Sequence, residues 1–190
     1  MHDHDPEDRP ALRAGDLIRC LARFDVRWVL CGSQVLALHG AKFTPNDLDV
    51  VPDLTPENLE RVAACLEDLG ATAAYLEGWG GARGTMDACK AWRPWPATAE
   101  NLDWLFVTRF GMLDIVIKKA DSYAALIEGA TWEAVDGAEC WVCDPRKVLA
   151  ALEGRRRAKD HARRAAYREM RQVFGMPDEL GEQGSAEPMP

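Results

Sequence analysis

The chain has 190 residues, 47% of them apolar, which is enough for one compact domain with a core and too few for two of ordinary size. Its formal charge of −8 excludes a protein that coats nucleic acid with its whole surface, because phosphate binding needs clustered positive charge. The opening MHDHDPEDRP lacks the apolar stretch of a secretory signal and no run reaches the length of a membrane span, so a soluble cytoplasmic protein is expected.

The first ten residues are expected to be disordered. Ala11 to Phe24 then reads as a helix, with Leu12, Leu17, Ile18, Leu21 and Phe24 recurring on one face. Arg27 to Cys31 is short, rich in β-formers and bounded by Gly32, which suits a strand buried on both sides. Ser33 is placed as the N-cap of a short helix, Gln34 to His39, ended by Gly40. After the loop AKFTPN, Asp47 to Val51 forms a second strand closed by Pro52, and a helix runs to Leu69 with Thr55 as its cap and Pro56 as its first helical residue.

The glycine- and tryptophan-rich stretch from Gly78 to Pro96 reads as one long loop. Trp104 to Phe110 and Met112 to Lys118 form a hairpin about Gly111, and Asp121 to Glu128 a short helix. A second hairpin joins Trp132 to Val135 with Glu139 to Cys143 through Asp136-Gly137. Asp144-Pro145 begins a helix to Leu152, Gly154 breaks it, and Arg155 to Phe174 forms the last long helix, before a tail from 175 to 190 expected to be disordered. The six cysteines fall mostly in apolar segments and read as small buried hydrophobes with reduced thiols; Cys140 and Cys143 have metal-pair spacing, but no second pair stands at a suitable distance.

Residues i and i+2 of a strand share a face, so Asp47 and Asp49 project together about 7 Å apart at their Cα atoms. Two such charges repel unless a divalent cation joins them. Asp114, alone within the apolar run Met112 to Ile117, offers a third carboxylate. Singly, each acid also suits a turn or a solvated strand face. Gly32-Ser33 adds a glycine permitting close backbone approach and a hydroxyl, the chemistry a phosphate needs. Ten of the 23 basic residues lie between Arg146 and Arg171, and Arg155, Arg156, Arg163 and Arg164 make either a rail for a polyanion or an ordinary solvated helix face. The tryptophans from Trp79 to Trp95 are read as covering a core, with base stacking the alternative.

The string Gly32-Ser33, Gly40, Lys42, Thr44, Asp47, Asp49 resembles the first motif of the DNA polymerase β-type nucleotidyltransferase superfamily, and Asp114 resembles its third acidic motif. Arg157-Ala158-Lys159-Asp160 resembles the string that opens the final helix in the small bacterial AbiEii-like, toxin-type branch. Lys42 stands where relatives often carry arginine, and Leu149-Ala150-Ala151-Leu152 lacks the lysine common two turns before the final lysine-aspartate pair.

The resemblance implies a single α/β nucleotidyltransferase domain over residues 11–174, with a short mixed sheet, helices packed behind and a basic C-terminal helix. It implies Mg2+ or Mn2+ held by Asp47, Asp49 and Asp114, which are also the catalytic residues, and an NTP bound by Gly32, Ser33, Lys42, Thr44 and Lys159. The activity implied is transfer of an NMP to a hydroxyl on tRNA or protein, with an antitoxin as a further partner. Two alternatives stay open: a small-molecule enzyme of the aminoglycoside-modifying type, and a non-catalytic nucleotide- or partner-binding relative.

Overall fold

The computed structural model describes residues 4–118, 120–152 and 158–177, of which 158–160 are given by their backbone alone. The apolar run Trp28–Cys31 forms β1 and is buried at every position. Around it stand β2 (Asp47–Pro52), β3 (Thr72–Ala73), β4 (Trp104–Thr108), β5 (Gly111–Ile115), β6 (Thr131–Val135) and β7 (Ala138–Val142), in the sheet order β3-β4-β5-β2-β1-β7-β6. Two neighbouring pairs are parallel, β2 with β5 and β1 with β7, and the rest are antiparallel. The expected mixed sheet is therefore present.

Helix α1 (Ala14–Arg23) buries Leu17, Ile18 and Leu21, three residues of the apolar stripe, and Arg13 and Arg19 each pair with Asp16 one turn away. Helix α3 (Pro56–Asp68) starts at proline as expected, yet Thr55 makes no capping bond; its hydroxyl accepts from Arg27 Nη2 at 2.8 Å instead. The fully buried Asn58 does more. Its Oδ1 accepts from the Arg27 N–H and its Nδ2 donates to the Arg27 and Asp53 carbonyls, so one amide joins the helix to the start of β1 and the end of β2.

The second hairpin forms where the sequence puts it, whereas the first turns at Arg109-Phe110 rather than at Gly111, which pairs with Thr108 as the first residue of β5, and its second strand ends at Ile115 rather than Lys118. Asp136 and Gly137 hold φ of 49° and 72°, the left-handed pair that a two-residue turn with the right strand twist demands. Helices α6 (Tyr123–Ile127), α7 (Pro145–Leu152) and α8 (Ala158–Val173) follow the expected order.

Two further local expectations fail, and two short elements carry no sequence signal. The stretch 78–96 is not one loop: it contains α4 (Met86–Ala91), whose first turn is capped by the Thr85 hydroxyl accepting from the Ala88 N–H at 3.2 Å. Glycines and prolines on both sides obscure a helix this short. Helix α5 (Ala99–Leu102) and the two-residue β3 carry too few residues for any period to show. Ser33 is not the N-cap of α2 (Ser33–Leu38) but its first helical residue, Gly32 taking the cap position.

Before α1 the chain is tied to the sheet edge: Tyr75 N–H donates to the Pro6 carbonyl at 2.9 Å, and Arg9 Nη2 donates to the Tyr75 carbonyl at 2.7 Å. At the other end the Met176 N–H donates to the Arg171 carbonyl at 2.9 Å, and the remaining stretches expected to be disordered, residues 1–3 and 178–190, lie outside the described residues. No helix of the described residues is long and apolar enough to cross a membrane.

Candidate metal and nucleotide site

Burial along β2 alternates as the pleat requires: Asp47 and Asp49 are half-buried, while Leu48 and Val50 between and after them face the core. Asp49 lies directly opposite Cys31 on antiparallel β1 and directly opposite Asp114 on parallel β5. Opposed residues share a face, so the ladder itself brings the second and third acids together. One carboxylate oxygen from each of Asp47, Asp49 and Asp114 lies within 4.8 Å of the other two. An Asp114 side chain on the far face would have ended the case for a shared ion; it is on the near face.

Three carboxylates at this spacing repel by about 3 kcal/mol per pair at an effective dielectric of about 20. A hard divalent cation reverses that sign, and a donor set made only of carboxylate oxygens suits magnesium or manganese rather than zinc or copper. The residues present fit the ion that the motif implies.

Gly32 fixes how closely the turn after β1 approaches them. Its φ of 71° is one that side chains rarely adopt, and a Cβ there would lie 2.0 Å from Asp49 Oδ2. The carboxylate rests on the glycine. Ser33 follows at once and opens α2, so Gly32, Ser33 and the three aspartates share one corner of the sheet.

Lys42 and Thr44 lie on the loop between α2 and β2 and are tied to α8. Lys42 Nζ meets Glu169 Oε1 at 3.3 Å with the lysine side chain 79% exposed, and the Thr44 carbonyl accepts from Arg163 Nη2 at 3.1 Å. Arg163 also stacks on Phe43, its guanidinium carbon 4.3 Å from the ring centre, while Arg164 is exposed. Arg155 and Arg156 lie outside the described residues, as does the side chain of Lys159. The stretch Leu149 to Leu152 belongs to α7, with Leu149 buried.

Reading the sequence alone missed Phe43 and Tyr167, whose rings meet edge to face at 5.9 Å. The available signal was a single large apolar residue inside the polar loop AKFTPN. Trp92 covers the core as expected, but Trp79 and Trp95 each remain 46% exposed. All six cysteines are buried and unbridged. Burial pushes the Cys140 and Cys143 thiols up to about 12, which disfavours the thiolates a metal would need.

No protein-family model and no curated protein matches the chain, so the AbiEii-like branch rests on its motif resemblance alone. Among solved structures, the chain is similar to the antibiotic-resistance factor ANT(2'')-Ia in solution, with 14% identity and a TM-score of 0.48 over 84% of this chain and 83% of that one. It is also similar to the crystal structure of ANT(2'')-Ia in complex with adenylyl-2''-tobramycin, with 12% identity and a TM-score of 0.40 over 81% of this chain and 94% of that one. What points to chemistry is the aspartate geometry, not these likenesses.

Proposed function

We propose that the protein is a magnesium- or manganese-dependent nucleotidyltransferase that moves an NMP from an NTP to a hydroxyl on tRNA or protein. The single observation that carries this reading is the convergence of Asp47, Asp49 and Asp114, from two parallel strands, within 4.8 Å of one another. Asp47, Asp49 and Asp114 hold the ion, which when bound supplies positive charge opposite the phosphate oxygens. The Gly32 backbone and the Ser33 hydroxyl bind the β- and γ-phosphates, with Lys159, Lys42 and Thr44 as further nucleotide contacts. In the transfer itself the acceptor oxygen forms a bond to the α-phosphorus, the bridging bond to the β-phosphate breaks, and pyrophosphate leaves. Asp114 accepts the proton from the acceptor hydroxyl.

The test is incubation with each labelled NTP, magnesium and either bulk tRNA, cell extract or an aminoglycoside, the products being resolved on a gel. Label on RNA or on a protein band, lost in Asp49→Asn, supports the reading and names the acceptor. Label on a small cationic sugar in place of either moves the protein to the aminoglycoside-type alternative. Nucleotide binding without transfer to any acceptor leaves a binding module. The toxin reading adds an expectation: induced wild type arrests growth and Asp49→Asn does not.

A further inference from the structure

Of the three acids, Asp47 is the least firmly held by the sheet. Asp49 has a paired strand on each side, Cys31 of β1 and Asp114 of β5, and Asp114 stands between Asp49 and Leu105. Asp47 is paired on one side alone, with Met112, because the β1 register begins only at Asp49. Its placement therefore depends on the chain that leads into it.

That chain is the loop 41–46. Among the described residues, the backbone from Lys42 to Asn46 makes one hydrogen bond within the loop, the Phe43 N–H to the Ala41 carbonyl at 3.0 Å. Ala41 is tied to α2 through its N–H and packs with Phe43 against the core, while among the described residues the hydrogen bonds of Lys42 Nζ and of the Thr44 carbonyl go to α8. The Arg163 guanidinium lies closer to a ring than any other guanidinium among the described residues, 4.3 Å from the centre of Phe43, and the same group donates to the Thr44 carbonyl at 3.1 Å. Tyr167, four residues on and so on the same helix face, packs its ring against the edge of Phe43. A stacked cation with a directed N–H fixes both the position and the rotation of what it holds.

We propose that Arg163 is a positioning residue, which by stacking on Phe43 and holding the Thr44 carbonyl fixes the loop 41–46 and, through it, Asp47 of the carboxylate site. Its role is thus distinct from contact with a polyanion along α8, and the exposed Arg164 and Arg168 are the residues left to face solvent. The inference deepens the nucleotidyltransferase reading and rests on it for its kinetic consequence, but not for its structural one.

The experiment uses the full chain and three readouts: hydrogen exchange of residues 41–47 without ligand, Mn2+ affinity by titration, and kcat/KM as a function of Mn2+. Arg163→Ala is expected to speed exchange in 41–47 and to weaken Mn2+ binding, each about tenfold. Phe43→Ala does the same, the double variant is no worse than the stronger single, and Arg163→Lys recovers part of the loss. The loss of kcat/KM is regained at high Mn2+, which a merely structural defect would not allow. Arg168→Ala leaves exchange in 41–47 unchanged. Unchanged exchange in Arg163→Ala, or additive effects of Arg163→Ala and Phe43→Ala on Mn2+ affinity, overturns the proposal. If the wild type transfers no nucleotide, the functional reading fails, while exchange and Mn2+ binding still decide the clamp.

Discussion

Two groups of acids in this molecule are built differently. At the end of α3, Asp68 is met by two guanidiniums: Arg23 pairs with it, Arg109 Nη2 lies 2.7 Å from its Oδ2, and Arg109 also donates to its backbone carbonyl. At the corner of β1, β2 and β5, three aspartates are gathered against one another and against a glycine. Asp68 has an arginine charge on either side, whereas the three corner carboxylates lie close enough to one another to share one divalent ion.

Substitution should therefore have contrary effects in the two places. The largest effect is expected at the corner: Asp49→Asn or Asp114→Asn lowers nucleotidyl transfer by about a thousandfold, measured with labelled NTP, while circular dichroism stays native. Metal-free Asp47→Asn melts no lower than wild type, since a repelling charge has gone. A clear drop in its melting temperature would mean that the acid is structural, as Asp68 is.

Gly32→Ala comes next. The strained φ and the contact with Asp49 together cost about 2 kcal/mol, seen as a melting temperature lower by about 5 °C and a weakened response to magnesium. In the wild type, magnesium at about ten times its dissociation constant raises stability by about 1.4 kcal/mol, or roughly 4 °C, and EDTA reverses the shift. Asp49→Asn should show no such response; an equal rise in that variant would place the bound ion elsewhere.

The Asp68 cluster gives a smaller effect that depends on pH. Burial acts to raise this carboxyl, but the hydrogen bond from Arg109 and the charges of Arg23 and Arg109 outweigh it and hold it below its ordinary range. The unfolded chain then binds the proton more readily, so the stabilisation is present above the ordinary aspartate value near pH 4 and is lost as pH falls through the lower folded value. Asp68→Asn should cost about 1 kcal/mol at pH 7, as partly exposed pairs do, and flatten the acid limb of the stability curve below about pH 4. The smallest effect is expected at Trp132 and Trp141, an exposed cross-strand pair 5.3 Å apart on the β6–β7 hairpin, where Trp141→Thr should cost about 0.5 kcal/mol in a denaturant titration.

Much of this was legible in one dimension. The apolar β1, the alternation of Asp47-Leu48-Asp49, and the turn residues Asp136-Gly137 are local patterns whose meaning does not depend on distant chain, and the structure has each where the pattern puts it. The short α4 was hidden by its glycine- and proline-rich flanks, and the role of Thr55 by a long-range competitor, Arg27. Phe43 was passed over because a lone aromatic in a loop has no period to announce it.

By itself, then, the order of residues determined which acids would share a strand face, which glycine would admit a close neighbour, and where strands would turn, because each follows from backbone geometry within a few residues. Only the tertiary structure decided that Asp114 lies in register with Asp49 and that α8 grips the loop before Asp47. Strand order and helix docking are set by burial of apolar faces far apart in the chain, and no short window of sequence contains both partners.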